Sequence, residues 1–177
     1  MLIGPGGAGK GTVAEQLTAR DPSLWLSRSW TTRQRRTGES EDAYVYVDAE
    51  TFAAHAKSGG FLEWAEFLGN SYGTPVPNPP PGSDVLLEID VQGAQRVVSL
   101  DPAAVVILLV PPSDEVQRQR LEARGDPPEH VERRLAKGRD EVRLGQGLAS
   151  HVVVNDQVET AVDQVAGIVE SARAARS

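Results

Sequence analysis

The chain has 177 residues, 40% hydrophobic and 24% charged, which suits one soluble domain able to bury about two-thirds of the surface its unfolded form exposes. A net charge of −7 argues against a broad nucleic-acid or anionic-membrane footprint, and the absence of cysteine excludes disulfides, thiolate metal sites and a thiol nucleophile. No apolar run approaches membrane-spanning length and the N-terminus lacks the regions of a signal peptide, so the expected compartment is the cytoplasm.

Met1 to Ile3 is apolar and very short for a strand that must present a loop. Either the start lies upstream, or the strand is a stub and the loop is less firmly held. Gly4-Pro5-Gly6-Gly7-Ala8-Gly9-Lys10-Gly11-Thr12 follows, a G-x-x-x-x-G-K pattern. Glycines let the backbone form a nest of inward N–H groups for a polyphosphate, and Lys10 is placed to reach its β/γ end. Gly11 stands where a magnesium-binding hydroxyl is usual; Thr12 is adjacent, so a metal would be held largely through water and phosphates. Val13 and Leu17, four apart, predict a helix from Thr12 to Arg20. Asp21-Pro22 ends it.

Trp25 to Thr32 reads as one strand. Its exit, Ser27 to Glu39, carries Arg28, Arg33, Arg35 and Arg36 among hydroxyls. Guanidinium forks and hydroxyl donors suit a phosphate monoester, although a basic run of this kind is also what a solvated loop offers. Tyr44 to Val47 alternates as a strand, and Ala49 to Lys57 reads as a helix. Glu63, between Leu62 and Trp64, is either a surface carboxylate on a strand or one offered from a partly apolar site. Pro77 to Pro81 cannot be helical and reads as a stiff connector.

Val85 to Asp90 predicts a buried strand with carboxylates near its C-terminal end, where parallel α/β sheets place ligand chemistry. Gln92 to Gln95 begins the return helix, and Ala103 to Val110 is a strand covered on both faces. Ser113 caps a helix running to about Arg124, and Asp126 to Glu129 opens another bearing Arg133, Arg134, Lys137 and Arg139. These basic helices form either a mobile lid or exposed faces matched by nearby glutamates. His151 to Val154 is the last strand, and Val158 to Val169 stripes a closing helix. The alternation predicts an α/β fold with a mainly parallel sheet flanked by helices.

Taken together, the sequence resembles guanylate kinase, a P-loop nucleoside monophosphate kinase family. The likeness rests on GPGGAGKGT at 4–12, SWTTRQRRTGE at 29–39, FLEWAEFLGNSYGTP at 61–75, LLEIDVQGA at 86–94, PPSDE and RLEARG within 111–125, and VVVND at 152–156. The resemblance implies magnesium-dependent phosphoryl transfer from ATP to GMP. It assigns ATP to Gly4, Gly6, Gly7, Ala8, Gly9, Lys10, Gly11, Thr12 and Asn155. It assigns GMP to Ser29, Arg33, Arg36, Tyr44, Glu63, Tyr72, Thr74 and Asp90, the last with Thr12 beside the metal. Lys10, Arg33, Arg120, Arg124 and Arg134 are the implied catalytic cations. The implied organisation is a core of 1–32, 76–123 and 139–177, a GMP-binding insert of 33–75 and a lid of 124–138. The sequence departs from the family pattern at Gly11, in the lack of a proline before Arg36, and in the proline stretch that replaces a helix. Two rival readings are a same-fold kinase for another phosphorylated acceptor, such as a ribose bisphosphate, and a non-catalytic module that binds a protein partner. Oligomeric state is left open.

Overall fold

The computed structural model describes residues 1–36, 38–67 and 69–176; Thr37 and Leu68, which fall in two of the motif blocks, and Ser177 lie outside the described residues. A parallel sheet forms the centre. Strand β1 (Leu2–Ile3) pairs with β8 (Ile107–Val110), which pairs with β9 (His151–Val154). On its other side β1 meets the end of a second parallel pair, β2 (Leu24–Ser27) with β7 (Asp84–Leu87), through the Leu2–Glu88 bridge and an Ile89 N–H donated to the Leu2 carbonyl. The order across the sheet is therefore β2-β7-β1-β8-β9.

Strand alternation sends successive side chains to opposite faces, and both faces are covered. Leu2, Leu86, Ile107 and Leu109 enter one core with Val13 and Leu17 of α1 (Lys10–Arg20) and Ala161, Val162 and Val165 of α6 (Val158–Ala174). Ile3, Leu87 and Leu108 enter the other, under Val91, Ala94 and Val97 of α3 (Val91–Leu100). At Gly145, α5 (Pro128–Gln146) passes so close to β8 that a Cβ there would lie 2.9 Å from Leu108 Cδ1. The two-residue β1 is thus a fully buried central strand.

A second sheet, β4-β3-β6-β5, stands apart from the first. It comprises β3 (Trp30–Thr31), β4 (Val45–Tyr46) and the antiparallel hairpin β5 (Phe61–Phe67) and β6 (Asn70–Pro75). Helix α2 (Ala49–Lys57), capped by Asp48, packs Phe52 against Phe61 and His55 against Trp30. The expected single strand from Trp25 to Thr32 is therefore two strands in two sheets, parted at Arg28-Ser29. The expected strand from Ala103 is also shorter, starting at Ile107. Residues 76–83, with the prolines, form no helix and link β6 to β7, as the missing proline N–H groups require. Helix α4 (Asp114–Ala123), capped by Ser113, buries Leu121 against Val131 and Leu135 of α5.

Candidate active site

The loop between β1 and α1 opens at the C-terminal edge of the central sheet. It turns through positive φ at Gly4, Gly7 and Gly9, where L side chains are strained. A Cβ at Gly4 would run into the Leu109 carbonyl, and one at Gly9 into the Asn155 amide. Two buried amides brace the loop from outside it: Gln117 Nε2 donates to the Gly6 carbonyl at 2.7 Å and Asn155 Nδ2 to the Ala8 carbonyl at 2.8 Å. A short first strand does not leave the loop loosely held. Lys10 Nζ folds over it, donating to the Gly4 carbonyl at 2.7 Å.

The loop lines one wall of a cleft of about 1560 Å³. Gly4, Gly6, Gly7, Gly9, Lys10, Gly11, Thr12 and Asn155 lie along it, with Ala8 buried behind them. Ser29, Arg33, Arg36, Tyr44, Glu63, Tyr72, Thr74 and Asp90 line the same cleft, as do Arg120, Arg124 and Arg134. The structure brings together every residue that the resemblance assigned to the site except Ala8, which it places one layer deeper.

On the side of the second sheet, Arg33 meets Glu39 in a two-pronged pair at 2.9 and 2.8 Å, while its guanidinium lies over the Tyr44 and Tyr46 rings. Gly38, at positive φ, turns the chain so that Glu39 also accepts the Arg36 backbone N–H. Burial alone would push the Glu39 carboxyl up, but the Arg33 and Arg36 hydrogen bonds outweigh it and hold the group at about 2. Burial likewise raises the Tyr44 phenol, keeping it a neutral donor. Glu63 accepts from the Thr74 hydroxyl. Burial pushes this carboxyl above its ordinary range, with the nearby Asp90 charge adding and the Thr74 bond opposing. Asp90 accepts the Gly93 N–H at 2.8 Å and so caps α3, while it also lines the cleft.

On the side of α4 and α5, Arg120 donates to the Asn155 and Asp156 carbonyls, and its buried Nη1 has no hydrogen-bond partner among the described residues. Arg124, at the end of α4, and Arg134, on α5, stand over the phosphate-binding loop; a Cβ at Gly6 would lie 3.3 Å from Arg134 Nη1 and 4.0 Å from Arg124 Nη2. Burial and mutual repulsion lower Arg134 and Arg36 from the ordinary guanidinium value. Such a concentration of cationic groups around glycine amides favours a multiply charged anion.

Several residues in the cleft or behind its wall were given no role from the sequence. Burial raises Glu88 and Glu141, and the Lys10 charge opposes the rise in both. Glu88 Oε2 lies 3.4 Å from where a Cβ on Gly11 would stand, and Lys137 lies 3.3 Å from Glu141. Asp126 joins three arginines, Glu39 aligns Arg33, and Gln117 holds the loop. The position of Glu88 in the strand beside the loop offered a signal for it; Gln117, more than a hundred residues from its partner, offered none.

Comparison with known proteins places this geometry. The family model described as guanylate kinase matches residues 1–172. The chain is 42% identical over 175 residues to the guanylate kinase of Prochlorococcus marinus (strain MIT 9313), covering 96% of this chain and 92% of the relative. It is 41% identical over 185 residues to that of Symbiobacterium thermophilum, covering all of this chain and 87% of the relative. The crystal structure of guanylate kinase from Anaplasma phagocytophilum superposes with a TM-score of 0.77 at 32% identity, covering 96% of this chain and 82% of that one. Shikimate kinase from Acinetobacter baumannii, at TM-score 0.51 and 18% identity, shares the fold alone. With a phosphate-binding loop, an arginine-rich cleft and this kinship over nearly its whole length, the chain belongs to the guanylate kinase family.

Proposed function

We propose that the protein transfers the γ-phosphoryl group of ATP to the phosphate of GMP, giving ADP and GDP. The observation that carries this reading is a single cleft that holds two separate sets of anion-binding groups. Gly4 to Gly7, Gly9 and Lys10 face it from the core sheet, and Arg33, Arg36, Tyr44 and Tyr72 face it from the second sheet. The acceptor oxygen of GMP is already anionic, so the reaction needs no general base. The protein must instead bring two polyanions together and neutralise charge spreading over the moving group.

The roles are those that the resemblance implies, and the shared cleft supports them. The loop amides and Lys10 receive the β- and γ-phosphates, with Lys10 exchanging its present carbonyl partners for phosphate oxygens. Asn155 and Gln117 act through the loop that they brace. Arg33, aligned by Glu39, and Arg36 take the GMP phosphate with Ser29, Tyr44 and Tyr72. Glu63, held by Thr74 beside Asp90, accepts from guanine N1–H and the exocyclic amine, a donor pair that adenine lacks. Arg120, Arg124 and Arg134 neutralise the transferring group. The lid is read as residues 124–138 and the acceptor-binding part as 33–75, both moving relative to the core during turnover.

Magnesium suits this donor set only as an ion held chiefly by phosphates and water. No group of three or more acidic or histidine side chains able to hold a metal occurs among the described residues. Thr12, Asp90 and Glu88 nevertheless line the cleft, and such an ion commonly keeps several waters. When bound, it would neutralise the β- and γ-oxygens. No helix among the described residues is long and apolar enough to cross a membrane. The proposed setting is the cytoplasm.

A coupled assay of ADP release with GMP, AMP, CMP and UMP tests the reading. GMP is expected to be preferred over AMP by about 10⁴-fold in kcat/KM, as for a site whose buried acceptor would be left unpaired by the wrong base. Equal rates with all four acceptors would overturn it.

A further inference from the structure

Asp126 has no part in the phosphoryl-transfer reading, yet it pairs with three arginines, all of which line the cleft. Its carboxylate is only 6% exposed and lies between three guanidinium groups from different parts of the chain. Arg124 Nη2, at the end of α4, is 2.6 Å from Oδ2; Arg134 Nε, on α5, is 3.4 Å from Oδ2; Arg36 Nη2, beyond β3, is 3.6 Å from Oδ1. Glu39 is the other carboxylate in reach, 3.9 Å from Arg36. Two of these arginines stand directly over Gly6 of the phosphate-binding loop. The carboxylate thus fills the place where cations from α4, α5 and the acceptor side converge above the loop.

We propose that Asp126 is an internal stand-in for phosphate: with nucleotides absent it holds Arg36, Arg124 and Arg134 together as an anion cage, and arriving phosphate must displace it. Three like charges this close would otherwise repel one another and scatter the cage. A carboxylate presents two oxygens to guanidinium groups much as a phosphate presents its own. A phosphate dianion carries more charge and more acceptors, so it wins the exchange. Its apparent affinity is lowered by the fraction of molecules in which the latch is closed. The displaced Asp126 then turns away on the Gly125 hinge, which lies at positive φ with nothing within 4 Å of where a Cβ would be. Asp126 is on this account a positioning residue, and the inference rests on the kinase reading for the identity of the natural anion.

The test titrates nucleotide-free enzyme with inorganic pyrophosphate by calorimetry. Asp126→Asn, which keeps the shape and removes the charge, is expected to bind pyrophosphate about 3- to 10-fold more tightly than wild type. Asp126→Glu, which keeps the charge, is expected to stay within about twofold. The gain should vanish when Arg134→Ala is added. A folded Asp126→Asn enzyme with unchanged or weaker pyrophosphate affinity would overturn the proposal.

A second measurement uses the wild-type protein and does not depend on the variant folding. The three arginines hold the Asp126 carboxyl below its ordinary range despite burial. Its carboxyl carbon, followed by NMR, should titrate higher once pyrophosphate saturates the cage, because anion binding and protonation are reciprocally linked. An unmoved titration overturns the latch. The GMP assay on wild type is scored separately. Activity without a latch effect rejects this inference alone, whereas a latch effect without GMP activity rejects the substrate assignment and keeps the cage.

Discussion

Glu63, in the guanine-binding role proposed for it, shows how recognition conflicts with the stability of the free protein. To accept guanine's two donors it must be ionised, yet burial favours its protonated form. A carboxyl raised in the folded state binds more protons there than in the unfolded chain, so its contribution to stability falls as pH rises through the raised value. GMP binding runs the other way and needs the higher pH. Glu63→Gln is therefore expected to melt higher than wild type at neutral pH, by on the order of 2 °C. The same variant should lose GMP kcat/KM by about 10²-fold or more. Wild type should also show an acid limb in kcat/KM for GMP above the ordinary carboxylate range, and that limb should be absent in the variant. Scanning calorimetry and a pH–rate series check both halves; a variant with wild-type GMP kinetics would remove Glu63 from the site.

Helix α3 is the element against which the Glu63 side chain lies. Asp90 caps its first turn, and Gly93 in that turn lets the glutamate side chain lie against the helix: a Cβ on Gly93 would stand 2.9 Å from Glu63 Cδ. Gly93→Ala should raise KM for GMP by about tenfold or more, with KM for ATP unchanged, because a misplacement of about 1 Å already costs heavily in a preorganised site. Steady-state kinetics in both substrates separate this from general loosening, which would move both constants.

Much of this element-level design was legible in the sequence. Gly-rich turns, clustered arginines and apolar runs announce themselves locally, so the loop, the acceptor-side arginines and most strands and helices could be located. The break at Arg28-Ser29 could not, because the pattern of apolar and hydroxyl side chains continues across the passage from one sheet to the next. Nor could the latch: Asp126 sits in a Gly-Asp-Pro-Pro turn, where an aspartate reads as ordinary turn chemistry. The grouping of Glu88 and Glu141 around Lys10 likewise exists only once β7 and α5 are folded beside the loop.

At the scale of the molecule, two crossings join the second sheet to the core: the break between β2 and β3, and residues 76–83. The second crossing carries Pro77, Pro79, Pro80 and Pro81, each with a restricted φ. Replacing Pro79, Pro80 and Pro81 with glycine is expected to lower stability by about 1–3 kcal/mol, chiefly by enlarging the unfolded ensemble. KM for GMP should rise more than KM for ATP, since only the acceptor-side groups depend on that joint. Denaturant unfolding and two-substrate kinetics check this; an unchanged midpoint would show that the stretch is not restraining the chain.

The two amides that steady the phosphate-binding loop enter the chain 111 and 147 residues away from the carbonyls they grip. A polypeptide emerging from the ribosome therefore carries its glycine loop and lysine from the outset, but lacks the full pair of clamps until β9 and the turn after it have been made. Nucleotide capture becomes a late event in biogenesis, and incomplete products are left with a slack loop that gives ATP little to hold.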